Sequence, residues 1–381
     1  MNTETLISRQ PVLNRNRAIT ATRLIVHTPP GPNASARAAA VLTQLAEAWP
    51  GLHPVFVSLD GAAPDIGLLD WPMPENAMIE IPADALAQPA TQELMAALQQ
   101  AGVPMCLDGY HSGLALPEGS EFRFMLADAT ARIDDAPGLL LAKELVDNAQ
   151  FDTCAEKGFG GGTGWFFLKG VTPAKKLNSS QAQIIRLLNL VRANAEIKEI
   201  EAVLKQDVAL SFKLLRYINS AGFGLAVEIQ SFRHAVTMLG YDKLNRWLSL
   251  LLVTSSKDAA APALMQAAIA RGRFMELIGK GHVQKAEQDN LFITGAFSLL
   301  DILLGVLMET ALADMHLPVT INEALIAREG TYAPFLELAL ISEQADYPAF
   351  AAQTEALHLT ADVVNLAQFQ ALQFADTLQL S

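Results

Sequence analysis

Residues 214–248 read LLRYINSAGFGLAVEIQSFRHAVTMLGYDKLNRWL, and their punctuation decides the fold of the second half of the chain. Asn219-Ser220-Ala221-Gly222 combines helix breakers with small side chains, which stops one helix and lets other backbone approach. Ser231 can cap the next helix, and Phe232, Ala235, Val236 and Leu239 follow at the spacing of one buried face. Gly240 closes that helix as a C′ residue, and Asp242 can cap another whose apolar stripe runs through Leu244, Trp247, Leu248, Leu251 and Leu252. Two turns and three amphipathic faces in so short a span predict closely packed helices.

In its order of elements, INSAGF…I.S…AV..LG, this stretch resembles the signature of the HDOD domain, a helical output module of bacterial signalling proteins related to the HD phosphohydrolases. The resemblance runs over residues 175–340 and implies an all-α domain.

Composition sets wider bounds. With 51% apolar and 18% charged residues, the 381-residue chain can bury substantial cores and is long enough for two or three domains. Two cysteines, Cys106 and Cys154, support no disulfide framework, and the N-terminus MNTETLISRQP has no signal-peptide pattern. A reducing, cytoplasmic setting is expected. The apolar stretch 291–308 is diluted by Asp301 and two glycines, so it is expected as a core helix rather than a membrane span. The net charge of −13 is uneven: residues 1–174 carry 10 Lys/Arg against 19 Asp/Glu, and residues 175–285 carry 16 against 8. A basic block of this kind can meet an acidic partner or nucleic acid. Solvated helix faces explain it more simply, and nucleic acid is not an expected partner.

Before residue 175 the pattern changes. Short apolar runs recur at 18–27, 53–60, 77–82, 103–108, 121–128, 138–143 and 163–169, separated by helix-like stretches. Buried runs alternating with helices imply a mostly parallel sheet. Seven of them point to a (β/α) barrel, shortened because helices must be missing around 109–140. The expected domains are 1–172, a (β/α) barrel, and 173–381, all helical, with an exposed linker at 170–176.

The barrel half resembles the EAL domain that hydrolyses cyclic di-GMP, and its opening RQPVLNRNRAITATRLIVH is similar to that of a bacterial family fusing EAL to HDOD. The EAL reaction uses metal ions held by carboxylates near strand ends. Position by position, the resemblance puts Arg23 in place of a metal-binding glutamate and Ser58 in place of an asparagine. It also puts Asp108-Gly109 in place of paired aspartates and Leu126 in place of a lysine. The HD-type His-Asp pair becomes Leu300-Asp301, and the seven histidines never cluster. Two literal Glu-Ala-Leu tripeptides, 323–325 and 355–357, read as ordinary helix composition. GFGGGTG (158–164) fails the phosphate-loop pattern and precedes a predicted strand, so it is expected to let a last barrel strand pass close to its neighbour.

These losses predict a degenerate EAL-like barrel joined to an HDOD domain, with no catalytic residue, metal ligand or cofactor. The expected function is a non-enzymatic signalling scaffold that binds protein partners in a bacterial pathway and can self-associate. Its candidate surface comprises Arg216, Asn219, Arg233, His234, Lys243 and Arg246, cationic or polar groups gathered about one turn. Cyclic di-GMP binding is not expected. The competing readings are a cyclic di-GMP receptor that does not cut its ligand, and a metal-dependent phosphodiesterase with relocated ligands.

Overall fold

Apolar residues at every second position need a second layer of chain to cover them, and closing a sheet on itself supplies one. The computed structural model, which describes residues 5–29, 31–133, 135–169, 179–204, 232–253 and 260–377, closes eight strands into a barrel. They are β1 (Leu6–Asn14), β2 (Ile19–His27), β3 (Val55–Asp60), β4 (Ala77–Pro82), β5 (Met105–Asp108), β6 (Phe122–Asp128), β7 (Leu139–Lys143) and β8 (Gly161–Thr163). β2 to β8 are parallel to their neighbours in turn, whereas β1 runs antiparallel to both β2 and β8.

Six of the seven apolar runs are strands. The seventh is displaced: Phe166–Leu168 form a single 3₁₀ turn, and the strand is the glycine run before it. Glycine is required there by proximity. A Cβ on Gly161 would lie 2.1 Å from the carbonyl oxygen of Leu13 on β1. The first strand escaped the list of apolar runs because Arg9, Gln10 and Pro11 interrupt it. Helices follow β2 (Ala34–Gln44), β4 (Pro89–Gln100) and β7 (Asn148–Glu156). Among the described residues none lies between β5 and β7, which is how the barrel fits into so few residues.

The chain divides into two units, Met1–Gly170 with Leu340–Phe369, and Val171–Ala339 with Gln370–Ser381. A single cut at 172/173 therefore does not describe it, and the reason lies in β1. That strand pairs with β8 only over Val12–Asn14, which leaves the upstream edge of β1 without a strand partner on that side. Residues 340–369 satisfy it. The Arg9 N–H donates to the Ser342 carbonyl at 3.2 Å. The Ile7 N–H donates to Asn365 Oδ1 at 3.0 Å, and Gln368 Nε2 donates to the Ile7 carbonyl at 2.6 Å. Asn365 Nδ2 donates to the Thr5 carbonyl at 2.9 Å, and the buried Arg9 pairs with the buried Glu343 at 2.9 Å. Phe369 also packs against Trp49 with ring centroids 5.7 Å apart. An open strand edge buried under protein needs such partners.

The second unit is helical. Its helices Ala261–Ile278 and Gln288–Phe297 meet so closely that a Cβ on Gly295 would lie 2.7 Å from the Arg271 carbonyl oxygen and from the Gly272 Cα. The run Phe232–Val253 breaks at Gly240, whose φ of 76° separates two helical segments. The apolar stretch from Leu291 is split by a break after Phe297 and by Gly305 at φ 67°. Among the described residues no helix is long and apolar enough to cross a membrane. The Asn219–Gly222 turn and the 170–176 linker lie outside the described residues.

Candidate functional site

The barrel interior is built in layers. Val12, Ala21, Phe56, Met78, Cys106, Leu126 and Leu141 form an apolar floor. Strand side chains repeat every two residues, so the next inward positions lie directly above that floor, toward the strands' C-terminal ends. Five of those positions are charged: Arg23 above Ala21, Glu80 above Met78, Asp108 above Cys106, Asp128 above Leu126 and Lys143 above Leu141.

All but Asp128, whose Oδ1 accepts from the backbone and hydroxyl of Thr130, form one network. Arg23 Nε donates to Glu80 Oε1 at 2.7 Å and its Nη2 donates to Oε2 at 2.7 Å, a two-pronged pairing. Nη2 also reaches Asp108 Oδ2 at 3.4 Å, and Nη1 reaches Gln10 Oε1 at 3.4 Å. Lys143 Nζ donates to Asp108 Oδ1 at 2.8 Å. Side-chain exposure rises across the network, from 0% at Glu80 and 13% at Arg23 to 19% at Asp108 and 24% at Lys143. Lys143 and Asp108 thus present the site to solvent while Glu80 and Arg23 anchor it. Burial alone would favour a neutral Arg23, but Glu80 and then Asp108 outweigh it and fix the guanidinium charge. Below them, burial and then Glu80 push the Cys106 thiol well up, so it offers no thiolate.

Of the positions named from sequence, Arg23 and Asp108 stand in this network. Ser58 lies on β3, nearly buried, and Leu126 belongs to the floor. Gly109 turns the chain at φ 88°, where its N–H and that of Tyr110 both donate to the Leu126 carbonyl. An aspartate there would be strained. Glu80 and Lys143 were missed. The signal was available, since each is a lone charge two residues beyond an inward apolar side chain, but it needs the strand register to be read.

A pair of divalent cations does not fit the network as it stands. Each oxygen of Glu80 and Asp108 already accepts an N–H from Arg23 or Lys143. Among the described residues no group of three or more His, Cys, Asp and Glu side chains is placed to hold a metal.

A second polar cluster, also without a local sequence signature, lies where β1, β2 and β3 meet. His27 Nδ1 is 2.7 Å from Asp60 Oδ2, and His27 Nε2 is 2.8 Å from Ser8 Oγ. This is the order of a nucleophile, base and orienting acid. Ser8 and His27 are closed to solvent, however, at 0% and 1% exposure. The Ser8 hydroxyl also lies 2.8 Å from the Gln344 carbonyl, and Tyr347 stacks on the His27 ring at 5.8 Å. The cluster braces β1 against residues 340–369 and exposes no nucleophile. Burial lowers the His27 pKa, partly opposed by its bond to Asp60.

In the helical unit, Arg246 of the expected surface is structural. It pairs with both oxygens of Glu276 at 2.8 Å and with Asp289 at 3.1 Å, and its guanidinium lies 3.8 Å from the centre of the Phe292 ring. Lys243 is exposed and His234 half-buried, while Arg216 and Asn219 lie outside the described residues, as does the Arg233 side chain. Leu300 is fully buried, and beside it burial raises the Asp301 pKa. Both Glu-Ala-Leu tripeptides start in helical chain, at Glu323–Ala327 and at the end of Tyr347–Ala356.

Comparison with known proteins places an HDOD domain at residues 176–317. The chain is 30% identical over 209 residues to cyclic di-GMP phosphodiesterase CdgJ of Vibrio cholerae, covering 54% of this chain and 48% of that protein. It therefore spans about half the length of that relative. It is 23% identical over 295 residues to the uncharacterized protein YuxH of Bacillus subtilis, covering 71% of each. Among solved structures, BlrP1 of Klebsiella pneumoniae in a calcium and cy-diGMP complex matches with 14% identity and a TM-score of 0.32, over 43% of this chain and 55% of that one. A relative that bears the name of a phosphodiesterase overturns the expectation of a non-enzymatic scaffold. The expectations that the chain is not an enzyme, and that protein partners rather than cyclic di-GMP are its ligands, fall with it. They rested on counting lost ligand positions, which says what a site lacks and not what its replacements do.

Proposed function

We propose that this chain is a cytoplasmic cyclic di-GMP protein of the phosphodiesterase class, an EAL-like barrel joined to a regulatory HDOD domain, and that it takes the cyclic dinucleotide at the C-terminal mouth of the barrel. The observation that carries this reading is the Arg23–Glu80–Asp108–Lys143 network, which gathers the charges of four strands into one partly open polar layer above an apolar floor. Ligand sites in parallel barrels form at this end of the strands, where loops can vary while strands hold the chemical groups in register. A phosphodiester needs cationic donors within reach of solvent, and Lys143 supplies one while Arg23 backs it. The relationship to the Vibrio phosphodiesterase supports cyclic di-GMP as the dinucleotide.

Isothermal titration of the full chain with cyclic di-GMP, followed by anion-exchange chromatography of the mixture for the linear dinucleotide, tests this directly. Saturable binding is expected, and Lys143→Glu should weaken it by about tenfold or more, since it places a second carboxylate beside Asp108. Absence of binding by the folded wild type would refute the reading.

A further inference from the structure

Counting donors and acceptors at the barrel mouth shows which sign of charge it can still accept. Every oxygen of Glu80 and Asp108 is engaged: Arg23 takes both oxygens of Glu80 and one of Asp108, and Lys143 takes the other. The donors are not used up. An ammonium carries three N–H groups, and the Lys143 head bonds to Asp108. Arg23 Nη1 has only the long 3.4 Å contact to Gln10. Lys143 therefore has donors to spare, whereas Arg23 occupies both oxygens of Glu80 at short range, Asp108 keeps one short bond and one long 3.4 Å contact, and Asp128 stands apart, accepting from Thr130.

A divalent cation would need those oxygens. It would have to displace Arg23 from Glu80, leaving a guanidinium of 13% exposure charged and unpaired beside the incoming metal. Both terms oppose it, because breaking a buried pair strands a charge and like charges repel at close range. A phosphate oxygen arriving from solvent meets the reverse situation. It can accept from Lys143, the most exposed group of the four, without uncovering Glu80.

Resting on the proposed binding of cyclic di-GMP, we infer that this barrel recognises the phosphodiester without a divalent metal, with the side chains of Lys143 and Arg23 providing the positive charge that the EAL resemblance assigns to metal ions. Charges supplied by the fold are present in every molecule at every metal concentration. Recognition of the ligand is then insensitive to chelators and depends on salt through Lys143.

The test is calorimetric titration of the full chain with cyclic di-GMP, once in EDTA and once with Mg²⁺ or Mn²⁺. The dissociation constant should agree within about twofold between the two conditions. Lys143→Met should weaken binding about tenfold in both, and Mn²⁺ titrated alone should show no site by electron paramagnetic resonance. Binding that disappears in EDTA and returns with Mg²⁺ would overturn the inference while leaving the proposed function standing. A saturable Mn²⁺ site lost in Asp108→Asn would overturn it in the same way. Absence of binding in both conditions would instead refute the proposed function. The comparison of wild type with and without metal needs no variant, so a poorly folded Lys143→Met protein leaves the test intact.

Discussion

Asn365 offers the sharpest test of how the barrel is completed. Its side chain is fully buried and bonds to two backbone groups of the first strand region, accepting from the Ile7 N–H at 3.0 Å and donating to the Thr5 carbonyl at 2.9 Å. Asn365→Ala removes both partners at once and leaves a buried donor and a buried acceptor unsatisfied. Each such group costs about 1–3 kcal/mol, so the variant should lose about 2–6 kcal/mol. Asn365→Asp keeps the acceptor for Ile7 and removes the donor for Thr5, so it should also lose stability at neutral pH. The assay is urea unfolding followed by tryptophan fluorescence. Three of the four tryptophans, Trp49, Trp71 and Trp165, belong to the first unit, so the signal reports mainly on the barrel. A midpoint for Asn365→Ala within about 0.5 kcal/mol of wild type would refute the argument. It would mean that the β1 edge finds other partners.

Two further outcomes follow from the packing. Arg246→Met should cost the helical unit about 1.5–3 kcal/mol, because it removes the two-pronged bond to Glu276 and leaves that carboxylate to Arg273 alone, whereas Lys243→Glu on the exposed face should cost almost nothing; equal losses by thermal melting would show that burial is not the deciding difference. The His27 pKa is lowered by burial below its ordinary 6.5, so the unfolded chain binds the proton more readily. The associated stability is fully present above about pH 6.5 and is lost as pH falls from there toward the folded-state pKa. Urea midpoints of wild type should therefore fall across this range more steeply than those of His27→Gln, and parallel slopes would refute the assignment.

Much of the fold was legible in the sequence because it depends on local period. Six strands announced themselves as six-to-ten-residue apolar runs, and the break at Gly240 followed from a glycine placed after an apolar stripe. What was illegible depends on partners distant in the chain. β1 carries Arg9, Gln10 and Pro11, which spoil an apolar run, and only the return of residues 340–369 shows that Arg9 has Glu343 as its partner. The boundary at 172/173 was drawn from a change in composition, and composition cannot record a chain that leaves a domain and comes back to it. Arg246 was placed on a surface because its charge lay at the edge of an apolar stripe, but Glu276 and Asp289 make that edge an interior.

The site shows the same limit more sharply. Reading Arg23 against a family pattern identifies a lost carboxylate, yet a lone arginine over an apolar floor would be an expensive defect, costing several kcal/mol in desolvation. It is tolerated because Glu80, two strands along the barrel, turns both oxygens toward it, and Lys143 answers one oxygen of Asp108. The two cations and two carboxylates balance one another, so each substitution makes physical sense only with its partner in place. A reading that scores positions one by one registers four departures. Reading the strands in register finds a compensated network whose spare donors face solvent, and that difference turns an apparent absence of function into a specific expectation about which ligand charge the barrel will accept.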